Sequence, residues 1–582
     1  MADESSNSPL GRMNRRTMLG TASAFIGGAV AGVTDVFGQE KPPSTAPAAP
    51  AASAPAANLN LHPPVVAIKG GKIRGIREGK TYSFLGIRYA EAERFGPPNP
   101  VKPWEGVVNA QVWGPVCPAP EQTTVSGDEL VFPHRYFVAN EHCQYLNVWT
   151  QGLTPARKKP VMVWMHGGGF TNGSSMESYA YDGRSLSEFG DVVVVSVNHR
   201  LNILGTLDLS AYGSQYANSR QTGMADLVAS LQWVQENIAT FGGDPGNVMI
   251  FGQSGGGGKV IRLMHMPDAK GLFHRVSAQS GGNNNYRGSD VAANIKAQQT
   301  IAAHVLKQLN LTASDLDKLK TVPYYTLITA GTAALRSAAQ ELGGGNLGWN
   351  PIADDETVMR EYCEWADRIP VIAGSVFSEF AGNLQSGDDK NAWSQKEIDD
   401  HLTKAFGDKK DALVAEFKNT FPHKKVQDLL FYAGTTRPGV KNLLNRTLEK
   451  SKVPVYNYVF AWEYPINGGT TSFHCSELAF CFHALNVPQI KTATGGGPAA
   501  LTLQDKVSTA WINFAKTGNP SQPGLEWKPY TKDGEEAMVF DTASQSVALK
   551  DDKLVSLLPA PAGRGGGPGR GGRGGNLSGD HE

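Results

Sequence analysis

The sequence predicts an α/β protein with a mostly parallel, twisted central sheet flanked by helices, and three observations carry that prediction. From Pro63 onward short β-branched runs alternate with longer helical patterns. The runs are apolar almost without interruption, as strands buried on both faces must be. A glycine-framed serine closes one of them and opens a helix. In chain order the clearest strands are expected at 160–165, 192–198, 248–251, 275–279, 371–375 and 455–461. Between two of these, residues 223–239 read as an amphipathic helix, with Leu227, Leu231, Val234 and Ile238 at helical spacing. A longer helical stretch, 289–348, interrupts the alternation and is expected to contribute to a cap over the functional end of the sheet. No repeat of solenoid type is present.

Composition excludes several classes. Lys plus Arg and Asp plus Glu number 54 each, so zero formal charge gives no global field that favours nucleic acid or an acidic partner. Past the N-terminus no apolar stretch reaches the roughly 18–20 residues of a spanning helix, so no stable membrane span is expected. The 582 residues divide into four parts. Residues 1–38 hold Arg15-Arg16 ahead of a mildly apolar Gly/Ala-rich stretch and read as a twin-arginine export signal. Residues 39–60 are a Pro/Ala-rich linker, 61–558 the folded domain, and 559–582 a Gly/Arg-rich tail that cannot bury a core. The tail lacks the interleaved aromatics of nucleic-acid-binding segments, so a solvated tail is expected. Five cysteines cannot all pair within one chain. In an exported protein, Cys117 and Cys143 bracket a loop of suitable length for a disulfide, with free buried thiols as the alternative. Cys475 and Cys481 could bond or stay free, and Cys363 reads as a buried thiol in a helical segment. None has the spacing of a zinc site.

Gly252-Gln253-Ser254-Gly255-Gly256 is the one G-x-S-x-G of the chain. Alone it is a weak signal in a sequence with 66 glycines. Its setting between an expected strand and an apolar helical run is the strand–turn–helix that a nucleophile elbow requires. A serine hydroxyl needs a base, and an acyl transition state needs donors for its oxyanion. His166-Gly167-Gly168-Gly169-Phe170, after the strand 160–165, is the type of loop that supplies backbone N–H groups. A phosphate-cradling role is disfavoured, since no Lys-Ser/Thr pair follows these glycines.

These motifs belong to a longer collinear series. It includes Phe84 to Ala90 with Arg94-Phe95, Cys143 to Trp149, Asn237 to Pro245 leading into Phe251, and Trp511 to Pro520. The series resembles the type-B carboxylesterases, a family that includes the cholinesterases and bacterial para-nitrobenzyl esterases, over about residues 65–545. The resemblance implies the α/β-hydrolase fold and a serine ester hydrolase without metal or cofactor. It implies Ser254 as nucleophile, His474 in Phe473-His474-Cys475-Ser476-Glu477-Leu478 as base, and Glu379 as the acid that orients it. Gly168, Gly169 and Gly255 would form the oxyanion hole, and Ser280 would be a buried support behind them. Glu477 and the Asp354-Asp355 pair are rivals for the acid, and His483, His265 and His274 for the base. Catalytically silent adhesion-type relatives, and amide or carbamate cleavage by the same groups, are the alternative functions.

The chain departs from the family pattern at four points. Gln253 stands where Glu is usual, Gly255 where Ala is common, Phe380 where Gly is usual, and Cys475 replaces a frequent small residue. Gln253 removes a negative charge beside the acyl centre. The loop between Cys117 and Cys143 offers Phe132, Tyr136 and Phe137 but no tryptophan face for a quaternary ammonium. The expected substrate is therefore a small, uncharged ester with apolar or aromatic groups.

Overall fold

The computed structural model describes residues 63–559 apart from 123, 124, 126–128, 130, 283–285, 346, 385–387 and 435. The expected signal and linker, and the tail beyond Pro559, lie outside the described residues. An eleven-stranded sheet organises the domain. In chain order its strands are β1 (Ile76–Glu78), β2 (Thr81–Arg88), β3 (Tyr145–Thr150), β4 (Lys159–Met165), β5 (Val193–Val197), β6 (Gly243–Gln253), β7 (Arg275–Gln279), β8 (Val371–Val376), β9 (Val455–Phe460), β10 (Glu536–Phe540) and β11 (Gln545–Ala548). Across the sheet the order is β11-β10-β9-β8-β7-β6-β4-β5-β3-β2-β1. The strands from β5 to β10 pair in parallel, and both margins are antiparallel.

All six expected strands are present, because each is buried on both faces and shows as an apolar run; β5 and β8 are buried at every residue. The N-terminal strand β3 was not legible in the same way. It carries Asn147, whose amide donates to Ser196 at 3.0 Å inside the core and breaks the apolar pattern. Helix α1 (Thr222–Asn237) presents Leu227, Leu231 and Val234 to the sheet, and Ile238 begins a tighter final turn. Helix α2 (Gly255–Leu263) follows β6 directly.

The order β5-β4-β6 determines where chemistry can occur. From β4 the chain crosses to one side, and from β6 it crosses to the other, so their carboxyl ends open into a crevice that no crossover covers. Gly252 pairs with Met165 and Gln253 with Gln279 in register, which puts the ends of β4, β6 and β7 level.

The stretch 289–348 forms a helical hairpin of α3 (Val291–Gln308) and α4 (Tyr324–Glu341). Ile301 and Val305 pack with Leu327, Ile328 and Ala334 onto Ile203, Leu204 and Trp349. Arg94 clasps its connection, donating to the carbonyls of Leu319 and Val322 at 2.6 and 2.7 Å. The hairpin sits on segment Asn202–Thr206, whose first N–H bonds the Phe170 carbonyl at 2.7 Å. This insertion therefore borders the crevice.

The expected disulfide is corrected here: Cys117 and Cys143 are free, buried thiols. They lie in the same apolar cluster as the hairpin, and Cys117 Sγ accepts the Leu201 N–H at 3.2 Å. Burial and the neighbouring Cys117 thiol push Cys143 well above the usual thiol range. Such a thiol lacks the thiolate character that disulfide formation needs, and it packs as a small hydrophobe instead. Cys475 and Cys481 likewise form no disulfide, and Cys363 is half-buried ahead of a short 3-10 turn.

Candidate active site

β6 ends at Gln253 and α2 begins at Gly255, leaving Ser254 in the turn at φ 57° and ψ −121°. An L-residue holds that conformation only under constraint. Here the Ser254 N–H donates to the Gln279 carbonyl at 2.8 Å, and its own carbonyl accepts from Gly258 at 3.0 Å. The small flanking residues are a steric necessity. A Cβ on Gly252 would stand 2.5 Å from the Gly256 backbone, and one on Gly256 would stand 2.0 Å from the Met165 oxygen.

The glycine loop after β4 lies directly on this turn. Gly168 and Gly169 have φ of 78° and 64°, conformations that other residues rarely adopt. A Cβ placed on Gly167 would be 3.5 Å from Ser254 Cβ, and one placed on Gly255 would be 2.4 Å from the Gly169 backbone. Gly255 thus does more than substitute for alanine, because the loop backbone occupies the space an alanine methyl would need.

The candidate acid and base, Glu379 and His474, come from loops after β8 and β9. Glu379, at φ 48°, anchors itself by accepting the Val376 N–H at 3.2 Å. Its carbonyl receives the His474 N–H at 2.9 Å, and its Oε2 bonds His474 Nδ1. A carboxylate on Nδ1 fixes the tautomer in which Nε2 is the nitrogen able to take a proton. The Gln253 amide nitrogen lies 3.4 Å from Nδ1 and 3.3 Å from Nε2 of the same ring. Near-equal distances place it against the ring and not on either nitrogen's in-plane direction. Cys475 Sγ donates to Gln253 Oε1 at 3.2 Å, and the Phe380 ring stands 4.2 Å from the imidazole centroid. Three of the four departures from the family pattern therefore meet around His474.

The rival residues are engaged elsewhere. His483 pairs with Asp505 near the surface, His265 bonds the Met359 carbonyl, and His274 accepts the Val248 N–H. Asp354 binds Arg220 and Thr357, and Asp355 binds Arg360. Glu477 is the instructive case. It is fully buried and accepts from Gln279 Nε2 at 3.3 Å. Burial, with the nearby Glu379 charge, raises its carboxyl to about 7. Ser280 is buried at φ 46°, its N–H bonded to the Gly374 carbonyl at 2.9 Å.

One residue at the site escaped the sequence reading. Lys259, in the second turn of α2, is completely buried and donates to the His166 carbonyl at 2.8 Å. A lysine opening an otherwise apolar helical run was the available signal. Among the described residues the one acidic group able to converge on a cation is Glu535, Asp551 and Asp552. The Lys441 ammonium already lies 2.6, 2.7 and 2.5 Å from them, which makes it an ion-pair cluster.

An elbow serine at the switch point, a carboxylate-bound histidine and a glycine loop against the elbow define an α/β-hydrolase. The carboxylesterase family model matches residues 62–555, and the chain belongs to that family. It is similar to the para-nitrobenzyl esterase of Bacillus subtilis (strain 168), at 33% identity over 85% of this chain and 99% of the relative. The phenmedipham hydrolase of Pseudarthrobacter oxydans is 29% identical over 83% of this chain and 96% of its own length. Among solved structures, an esterase from anaerobic Clostridium hathewayi, described as able to hydrolyze aliphatic aromatic polyesters, matches with TM-score 0.77 and 41% identity. That match covers 85% of this chain and 97% of the other. A Geobacillus stearothermophilus carboxylesterase matches with TM-score 0.65 and 30% identity, covering 85% and 100%. The protein is a carboxylic-ester hydrolase.

Proposed function

We propose that the protein hydrolyses neutral carboxylic esters through an acyl-serine intermediate on Ser254. His474 takes the hydroxyl proton as the oxygen attacks the ester carbonyl, then delivers it to the departing alcohol. Glu379 holds the imidazole by Nδ1 and stabilises the imidazolium. The N–H groups of Gly168, Gly169 and Gly255 receive the developing oxyanion. Water, activated by the same histidine, then releases the acid. The observation that carries this reading is the strained Ser254 turn pressed against the Gly167–Gly169 loop.

Gln253, neutral and 1% exposed, removes a fixed anion from the site and favours an uncharged substrate. Phe380, tilted against the His474 ring yet 59% exposed, offers an aromatic surface beside the base. That surface, and the polyester activity described for the Clostridium hathewayi esterase, support aromatic esters as substrates. Export rests on Arg15-Arg16 and the stretch that follows. The test is Ser254→Ala assayed on simple aryl and short-chain esters, with organophosphate labelling of the wild type. Retention of the wild-type rate by Ser254→Ala, or labelling of another residue, overturns the assignment.

A further inference from the structure

The geometry points to Lys259 as a positioning residue that holds the oxyanion loop in its donating orientation from the buried side. The inference rests on the Ser254 and oxyanion-loop reading above and concerns a residue that the mechanism itself does not use.

Lys259 is 0% exposed, a rare state for a lysine, and burial lowers its ammonium to about 7. A group kept at such cost needs a partner. Side chains on a helix tilt toward its N-terminus, so from the second turn of α2 this one runs back toward the elbow. Its Nζ donates to the His166 carbonyl at 2.8 Å and lies 3.5 Å from the Gly167 carbonyl. The Phe170 ring, at the far end of the same loop, stands 5.7 Å from Nζ. One ammonium therefore touches both ends of the His166–Phe170 segment.

Peptide geometry carries this contact to the reacting side. In a trans peptide the C=O and N–H point in opposite directions. Fixing the Gly167 carbonyl toward the interior turns the Gly168 N–H, its partner in the same peptide group, the other way. That carbonyl has two donors, the weak one from Lys259 and the His166 ring, whose Nδ1 lies 2.9 Å away. Burial and the neighbouring Lys259 charge press the His166 imidazole well below its ordinary pKa, so the ring is neutral with its proton on Nδ1. Lys259 fixes the preceding peptide in the same sense through the His166 carbonyl. Donation to a carbonyl also polarises the attached N–H and makes it a better donor. The other charged groups around Lys259 are Glu177, which favours the ammonium, and Arg262, which opposes it.

The test compares wild type, Lys259→Gln and Lys259→Met, with rates normalised to organophosphate-titrated active sites. A site with misdirected donors binds substrate normally and the tetrahedral state poorly. Lys259→Met is expected to lower kcat by about 10- to 100-fold, less than or comparable to loss of a whole oxyanion donor. Affinity for a trifluoromethyl-ketone analogue is expected to fall in parallel, with KM within about twofold of wild type. Lys259→Gln, which keeps a shorter donor, is expected to lie between. Wild-type kcat and analogue affinity in folded Lys259→Met overturn the inference. If the methionine variant does not fold, Lys259→Gln decides: parallel loss of kcat and analogue affinity supports the role, and wild-type values for both overturn it. Failure of the underlying reading is separable, since it appears as an active Ser254→Ala enzyme.

Discussion

Replacing Glu477 by glutamine should stabilise the protein at alkaline pH and change little at acid pH. The carboxyl is sealed in the core, and one oxygen, Oε2, has no hydrogen-bond partner among the described residues. Burial raises its folded-state value from 4.5 to about 7. Below about pH 4.5 the group is protonated in both folded and unfolded chains, and it contributes no pH dependence. Between 4.5 and 7 the unfolded chain releases the proton while the folded one keeps it, so stability falls as pH rises; above 7 the loss is complete. A displacement of about 2.5 units at 1.36 kcal/mol per unit gives about 3 kcal/mol. Glutamine has the same shape, does not titrate, and its oxygen can still accept from Gln279. Guanidinium unfolding of wild type and Glu477→Gln should therefore differ by about 3 kcal/mol at pH 8 and by less than about 1 kcal/mol at pH 5. Equal differences at the two pH values would mean that Glu477 is an ordinary ionised carboxylate, and the burial reasoning would be refuted.

The remaining predictions concern the site and its surroundings. Glu379→Gln should reduce kcat by about 10³- to 10⁴-fold through loss of the fixed tautomer, whereas Glu477→Gln at pH 8 should retain activity; the reverse result would exchange their roles. Gly255→Ala should lower kcat by about tenfold or more with little change in melting temperature, since its methyl must displace the Gly169 backbone and misplace a donor. An unchanged kcat would show that the loop gives way freely. Peptide mapping without reductant should recover Cys117 and Cys143 as thiols that resist alkylation until the protein unfolds; an intact bridge in the native protein would contradict the packing described above.

Much was legible in the sequence because burial on two faces leaves a direct imprint. A parallel strand covered by helices is largely apolar, so β4 to β9 stand out, while the marginal strands β1 to β3 and β10 to β11 do not. Ser254, Gly168 and Gly169 were legible for a related reason, since only glycine satisfies the close approaches and positive φ around the turn. Glu379 and His474 were proposed from their order in a familiar series of motifs, not from any local property, with rivals left open for both.

The sequence alone determined the central sheet, the elbow and the family to which the chain belongs, all of which depend on local patterning or on residues that nothing else can replace. Only the tertiary structure decided which carboxylate meets the histidine, because Glu379 lies 95 positions from His474 and Glu477 only three. It alone placed Gln253, Phe380 and Cys475 around that ring, left Cys117 and Cys143 unbridged, and brought the Lys259 ammonium beneath the His166–Phe170 loop. Each of these depends on contacts between segments far apart in the chain, where approach and desolvation are set by packing that no local pattern records.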